Sequence, residues 1–230
     1  MLYEHVDNMN TLIVLIIVIV LVSCFWKNQP HKESLKNNVV YLDMPDYEIM
    51  EIHNFLTDQE CDQIIDLSRD QLIPSTVYDL EKNVYSVDTR KSQQCWLKDD
   101  IPIVKRLSNK IKDFTNTHSM FTEDLQVVNY NPGGFFNPHY DACEGDEAYC
   151  RRLNQNGPRY LTVLIYLNDD FTGGETVFPA INKSVKPEKG KAVIFQNVDE
   201  YGVIIEQAVH AGAPVKSGNK WIANKWIHLN

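Results

Sequence analysis

DLQVVNYNPGGFFNPHYD, residues 124–141, decides the fold. Its first seven residues alternate, NPGG (131–134) is a turn signal, and FFNPHYD (135–141) restarts an extended pattern. The pattern predicts two strands joined by a turn. Residues i and i+2 of a strand share a side. His139 and Asp141 are therefore expected to point together into the space the sheet encloses, with Tyr140 pointing away.

Strand patterns continue downstream. RYLTVLIYLND (159–169) is the strongest, followed by GGETVFP (173–179) and the segment around Val185. KAVIFQN (191–197), GVIIEQAVHAG (202–212) and KWIANKWIHLN (220–230) complete the series. Upstream the period changes. Thr57 and Glu60 have capping-box spacing, and Cys61, Ile64, Ile65 and Leu67 give a short apolar stripe. Val104, Leu107, Ile111 and Phe114 predict a second helix over 101–115. Many short strands behind a helical start predict an α+β protein with a jelly-roll core and N-terminal supporting helices.

Within that frame four residues carry chemistry. Two histidines and one carboxylate, His139, Asp141 and His210, can hold a non-haem Fe(II) on one face and leave the other open. Lys220 lies across a turn from the His210 strand. A lysine inside a barrel is costly unless it meets an anion. The far carboxylate of 2-oxoglutarate is such an anion. Lys220, Ile222, Asn224, Trp226 and His228 alternate along the last strand and form one polar-aromatic face. Tyr130 and Thr162 are expected to donate hydrogen bonds to the same carboxylate.

The 230-residue chain accommodates one domain plus an appendage. Its net charge is −9, and the part beyond the first apolar run, without Glu4 and Asp7, carries −7. Nucleic-acid binders normally present a basic surface, so no nucleic-acid partner is expected. Five cysteines are too few for a disulfide scaffold of this length. Cys143 and Cys150 either close the loop after Asp141 or remain free thiols. Residues 12–26, LIVLIIVIVLVSCFW, are uncharged and predict a single-pass membrane anchor within 1–26, with a cleaved signal peptide as the rival. Residues 27–46 are polar and predict a linker, and 47–230 the folded domain. Lys27, Lys32 and Lys36 after the run favour a cytosolic domain. The Asn182-Lys183-Ser184 sequon is usable only in a lumen.

NYNPGGFFNPHYD, RYLTVLIYLND with GGETVFP, KPEKGKAVIF and HAGAPVKSGNKWIANKWIH together resemble the catalytic domain of prolyl 4-hydroxylases, in the iron- and 2-oxoglutarate-dependent dioxygenase superfamily. The resemblance covers about residues 124–230, and DTRKS (88–92) extends it weakly toward Tyr47. It implies a double-stranded β-helix, His139, Asp141 and His210 as iron ligands, and Lys220 as co-substrate anchor assisted by Tyr130 and Thr162. It also implies a peptide groove at Trp226 and His228, and places Arg90 in a segment similar to a mobile substrate-covering loop. The implied reaction hydroxylates C4 of proline in a proline-rich peptide, with L-ascorbate restoring oxidised iron, in the endoplasmic reticulum lumen. Ala213 and Phe136 stand where many relatives have cysteine and tyrosine. The alternatives are a related dioxygenase with another substrate, or a jelly-roll binding module without catalysis.

Overall fold

The computed structural model describes residues 38–229 apart from 43–46, 76, 80–83, 87–88, 145–149 and 151–155. The apolar run 12–26 lies outside the described residues, and among those described no helix is long and apolar enough to cross a membrane.

Two short strands, β1 (Val39–Leu42) and β2 (Ile49–Ile52), pair antiparallel at the start. The folded unit thus begins at Asn38, inside the stretch expected to be linker. Helix α1 (Asp58–Arg69) starts at the predicted capping box: Glu60 N–H donates to the Thr57 hydroxyl, and the Thr57 N–H donates to the Glu60 carboxylate. Next come β3 (Ile73–Pro74), β4 (Val77–Asp79), β5 (Val84–Ser86), β6 (Arg90–Lys91) and β7 (Gln93–Leu97). Helix α2 (Pro102–Thr115) has proline in its first turn and buries Ile103, Val104, Leu107 and Ile111.

The strands that follow are β8 (Leu125–Tyr130), β9 (Phe135–His139), β10 (Arg159–Tyr166), β11 (Thr172–Gly173), β12 (Thr176–Phe178) and β13 (Lys183–Val185). Then come β14 (Ala192–Gln196), β15 (His210–Gly212), β16 (Val215–Ser217) and β17 (Lys220–His228). The larger sheet runs β1-β2-β14-β10-β17-β8-β7-β3, and the smaller β13-β12-β15-β9-β6. Two antiparallel sheets enclosing one core, with helices to one side, are the jelly-roll architecture expected.

The core between the sheets contains Val128, Leu164, Tyr166, Phe178, Val193, Phe195 and Ile222. Strand β17 explains how one sheet serves two environments. Its even positions Lys220, Ile222, Asn224 and Trp226 line an internal cavity. Its odd positions turn toward the helical side: Trp221 lies under the Arg69 guanidinium of α1, and fully buried Lys225 pairs with Asp99 at 2.5 Å. Asp99 is partly exposed, and removing it would leave the buried Lys225 ammonium without its partner, a destabilising change. The ion pair therefore holds β17 in register beneath the site.

Candidate active site

His139 and His210 are direct partners in the β9–β15 register, so two strands of the smaller sheet bring the histidines together. Their ring centres are 4.3 Å apart. Strand β9 ends at His139, so Asp141 sits in the bend just beyond it. Its carboxylate oxygens nevertheless lie 3.7 Å from His139 Nε2 and 3.6 Å from His210 Nε2. One ligand atom from each of the three residues falls within 4.8 Å of the others.

Both histidines are fixed in the tautomer a metal needs. Nδ1 of His139 donates to the Asn137 carbonyl at 2.8 Å, and Nδ1 of His210 to the Ala208 carbonyl at 3.0 Å. Each Nε2 lone pair is left for the centre of the cluster. Burial, and His210 beside it, push the His139 imidazole down to about 3, which keeps it neutral. Burial opposes ionisation of Asp141, but His210, His139 and Arg159 hold its carboxyl below the usual carboxylate range.

Thr162 is placed differently from expectation. Its hydroxyl donates to Asp141 Oδ2 at 2.7 Å and accepts from Asn197 Nδ2 at 2.8 Å. Thr162 is turned toward the triad, but it lies away from Lys220 along the sheet. Thr162 pairs with Trp226, six residues along β17 from Lys220, which is about 20 Å at ~3.3 Å per residue. Thr162 orients the carboxylate of the triad and does not reach the lysine.

Lys220 is buried, pairs in register with Tyr130, and has its Nζ 5.1 Å from the Tyr130 ring and 5.6 Å from the Tyr166 ring. Among the described residues no carboxylate lies within ion-pair distance of it. Burial pushes its ammonium down to about 7, against a partial counter-effect from Glu175. The threonine on this side is Thr176, which lines the cavity and shares a 2.6 Å hydrogen bond with the Tyr166 hydroxyl. Gly174 leaves room for the lysine stem: its φ is +70°, and a Cβ there would lie 3.0 Å from Lys220 Cδ. Gly212 borders the amine, and a Cβ there would make only an ordinary 3.9 Å contact with Lys220 Nζ. A buried, unpaired ammonium beside open space fits an anionic co-substrate, and the nitrogen-oxygen donor set of the triad fits Fe(II).

The cavity, about 300 Å³, continues past the triad to Trp96, Arg159, Asn224 and Trp226. Arg159 lies over the Trp226 ring at 3.7 Å and donates twice to Glu123, at 2.6 and 2.8 Å. Glu123 also accepts from His228 Nε2 at 2.8 Å, while His228 Nδ1 meets the Gly157 carbonyl at 2.6 Å. Against the cost of burial, the hydrogen bonds from His228 and Arg159 hold the Glu123 carboxyl down to about 2. Among the described residues, buried Trp226 Nε1 and Asn224 Oδ1 find no hydrogen-bond partner. Arg90 is not on an open loop: it is a buried residue of β6, with Nε donating to Ser92 at 2.8 Å.

Sequence reasoning therefore missed Glu123, Arg159, Thr176 and Trp96. Arg159 was hidden by a register shift between Arg159 and Leu161, which breaks strand alternation. Thr176 had a usable signal, because it shares the buried side of β12 with Phe178. Cys143 and Cys150 form a disulfide with Cα atoms 5.6 Å apart, which resolves the alternative left open above.

Comparison with known proteins agrees with this geometry. The sequence profile of the 2OG-Fe(II) oxygenase superfamily matches residues 125–228. The chain is 37% identical over 182 residues to prolyl 4-hydroxylase subunit alpha-1 of Rattus norvegicus, covering 78% of this chain and 34% of that protein. It thus spans about a third of the length of that relative. It is 35% identical over 199 residues to a putative prolyl 4-hydroxylase of Acanthamoeba polyphaga mimivirus, covering 84% and 80%. Among solved structures it is similar to a viral collagen prolyl hydroxylase of Paramecium Bursaria Chlorella virus-1 in its 2OG complex. There the TM-score is 0.64 at 32% identity, covering 78% of this chain and 94% of that one.

Proposed function

This chain belongs to the prolyl 4-hydroxylase family of 2OG-Fe(II) oxygenases, and we propose that it hydroxylates C4 of peptidyl proline. O2 and 2-oxoglutarate are consumed, and succinate and CO2 released. The observation that carries this reading is the continuity of one cavity from Lys220, past the His139–Asp141–His210 cluster, to Trp226.

His139, Asp141 and His210 would hold Fe(II), which when bound supplies O2 activation coupled to 2-oxoglutarate decarboxylation. Lys220, with Tyr130 and Thr176, would hold the far carboxylate. Thr162 keeps one Asp141 oxygen directed and partly neutralised. L-Ascorbate would return oxidised iron to Fe(II). A proline-rich peptide in the polyproline II form fits a groove walled by Trp96, Trp226 and Arg159. The unpaired Trp226 Nε1 and Asn224 Oδ1 supply one donor and one acceptor, which suits a peptide backbone.

Residues 12–26 would anchor the chain in a membrane as a single pass, with the domain on the lumenal side. The Cys143–Cys150 disulfide supports an oxidising compartment, and Asn182 of the sequon is exposed. The lysines after the run favour the opposite orientation but number only three. Glycosidase sensitivity of the full-length protein, abolished in Asn182→Gln, would establish the lumenal domain; insensitivity together with protease protection lost only on opening the cytosolic face would refute it.

The activity is tested by incubating the protein with Fe(II), 2-oxoglutarate and a panel of proline-rich peptides, with His139→Ala as control. A mass gain of one oxygen on proline is expected. Turnover of 2-oxoglutarate with no prolyl product on any peptide would sink the substrate assignment.

A further inference from the structure

His139 and His210 are held by different means. His210 is buried, with Phe195 and Phe178 ring centres at 4.8 and 5.8 Å. His139 lies at the open end of β9, directly after exposed Asn137 and Pro138. Its bond to the Asn137 carbonyl fixes one direction in the ring plane and leaves the ring free to tilt about that bond. A metal bond uses a lone pair lying in the ring plane, so such tilting weakens ligation.

With the His210 ring tilted at 53° to it, the His139 ring has one side chain lying flat against its face. The Phe136 ring is stacked on the His139 imidazole at 3.5 Å between centres and 15° between planes. Phe136 is in turn the register partner of Arg90 across β9–β6, and the Arg90 guanidinium carbon lies 4.7 Å from the Phe136 ring centre. Arg90 is itself anchored, through Nε to the Ser92 hydroxyl, which donates on to Ser75 at 2.8 Å. A chain of contacts therefore runs from the buried edge of the smaller sheet to the face of one histidine.

We propose that Phe136 is a positioning residue for the metal centre: its flat face holds the plane of the His139 imidazole, and Arg90 holds Phe136. The proposal rests on reading His139, Asp141 and His210 as the iron ligands. It needs no contact between Phe136 and any substrate. It also assigns Arg90 a supporting task distinct from covering a peptide.

The test is Co(II) binding to the full-length chain, followed by its visible absorption without 2-oxoglutarate or peptide. Phe136→Leu keeps the apolar bulk and loses the flat face, and should raise the Co(II) dissociation constant about tenfold, the lower end for a lost orienting partner. Phe136→Tyr keeps the face and should bind within about twofold of wild type. Arg90→Lys, which keeps the charge and loses the flat guanidinium over Phe136, should weaken binding in the same direction by a smaller factor; if Phe136→Leu does not fold, wild-type affinity in Arg90→Lys overturns the proposal. Equal affinity for Phe136→Leu and wild type overturns the proposal. So does an equal loss in Phe136→Leu and Phe136→Tyr, which would mark volume and not the flat face as the cause. If the wild type binds no Co(II), the ligand assignment itself falls and the proposal goes with it, an outcome separable from the other two.

Discussion

Thr162 and Asp141 are joined by a 2.7 Å hydrogen bond in which the threonine hydroxyl donates to Oδ2. The bond orients a carboxylate that also faces two histidine nitrogens. Thr162→Val removes the donor at nearly constant shape. Metal affinity is expected to fall about 10-fold or more, as is usual when an outer hydrogen bond to a ligand is lost. The KM for 2-oxoglutarate at saturating iron should move little. Thr176→Val should do the reverse, and the two KM and metal titrations together separate the roles.

Lys220 should make co-substrate binding pH-dependent. Without an anion its ammonium is pushed down to about 7 by burial. A bound carboxylate favours the charged form and raises that value. Affinity for 2-oxoglutarate should therefore be level below pH 7 and fall as pH rises above it, by up to tenfold per unit. Lys220→Arg, which stays protonated, should remove this slope. Calorimetric titration from pH 6 to 9 gives both results.

The same lysine should cost stability in the ligand-free protein. Its folded value lies below the unfolded value of about 10.4, so the unfolded state binds more protons between them, and stability rises with pH across that window. Lys220→Met should raise the Tm of the ligand-free protein at pH 7 while abolishing 2-oxoglutarate binding. A lower Tm in Lys220→Met would show that the lysine is not strained.

Glu123 links His228 to Arg159, and Arg159 lies on Trp226. Glu123→Ala leaves a partly buried guanidinium without its carboxylate and should destabilise by about 1.5–3 kcal/mol. Peptide KM should rise by a larger factor than metal affinity changes, because Arg159 also donates to the Asp141 carbonyl. Because the Glu123 carboxyl is held down to about 2, its contribution is complete above the ordinary glutamate range and is lost as pH falls toward 2. Urea melts between pH 2 and 6 should show that loss in wild type and not in the variant.

The disulfide closes a loop with a sequence separation of seven. A loop this short is worth about 2 kcal/mol in the chain-entropy account. Denaturation with and without reductant should differ by that amount, and the Cys143→Ser variant should match the reduced wild type.

Residue patterns carried the fold and much of the site, for a physical reason. Alternation reports which side of a sheet a residue faces, so Lys220, Trp226, His139 and His210 were all legible. Alternation says nothing about distance along a strand, which is why it does not separate Thr162, beside Asp141, from the Lys220 end of the cavity. It also fails where a strand is irregular, as at Arg159. Glu123 was invisible because it lies before β8, and only the folded chain brings it to His228. Strand β1 was missed because VVYL is too short to stand out from a polar stretch.

The even face of β17 has a consequence for how this chain can vary. In the proposed reading Lys220 would select the diacid and Trp226 would border the peptide, and both side chains line one cavity from one face of the strand. Substituting either residue tunes one specificity and leaves the other intact. Inserting or deleting a single residue in the turn before Lys220 would swing the whole row outward, because strand parity has a period of two. The two specificities are thus separable by substitution but inseparable by change of length. Length variation in this segment should be tolerated only in steps that preserve parity, and diversity in substrate preference must accumulate one side chain at a time.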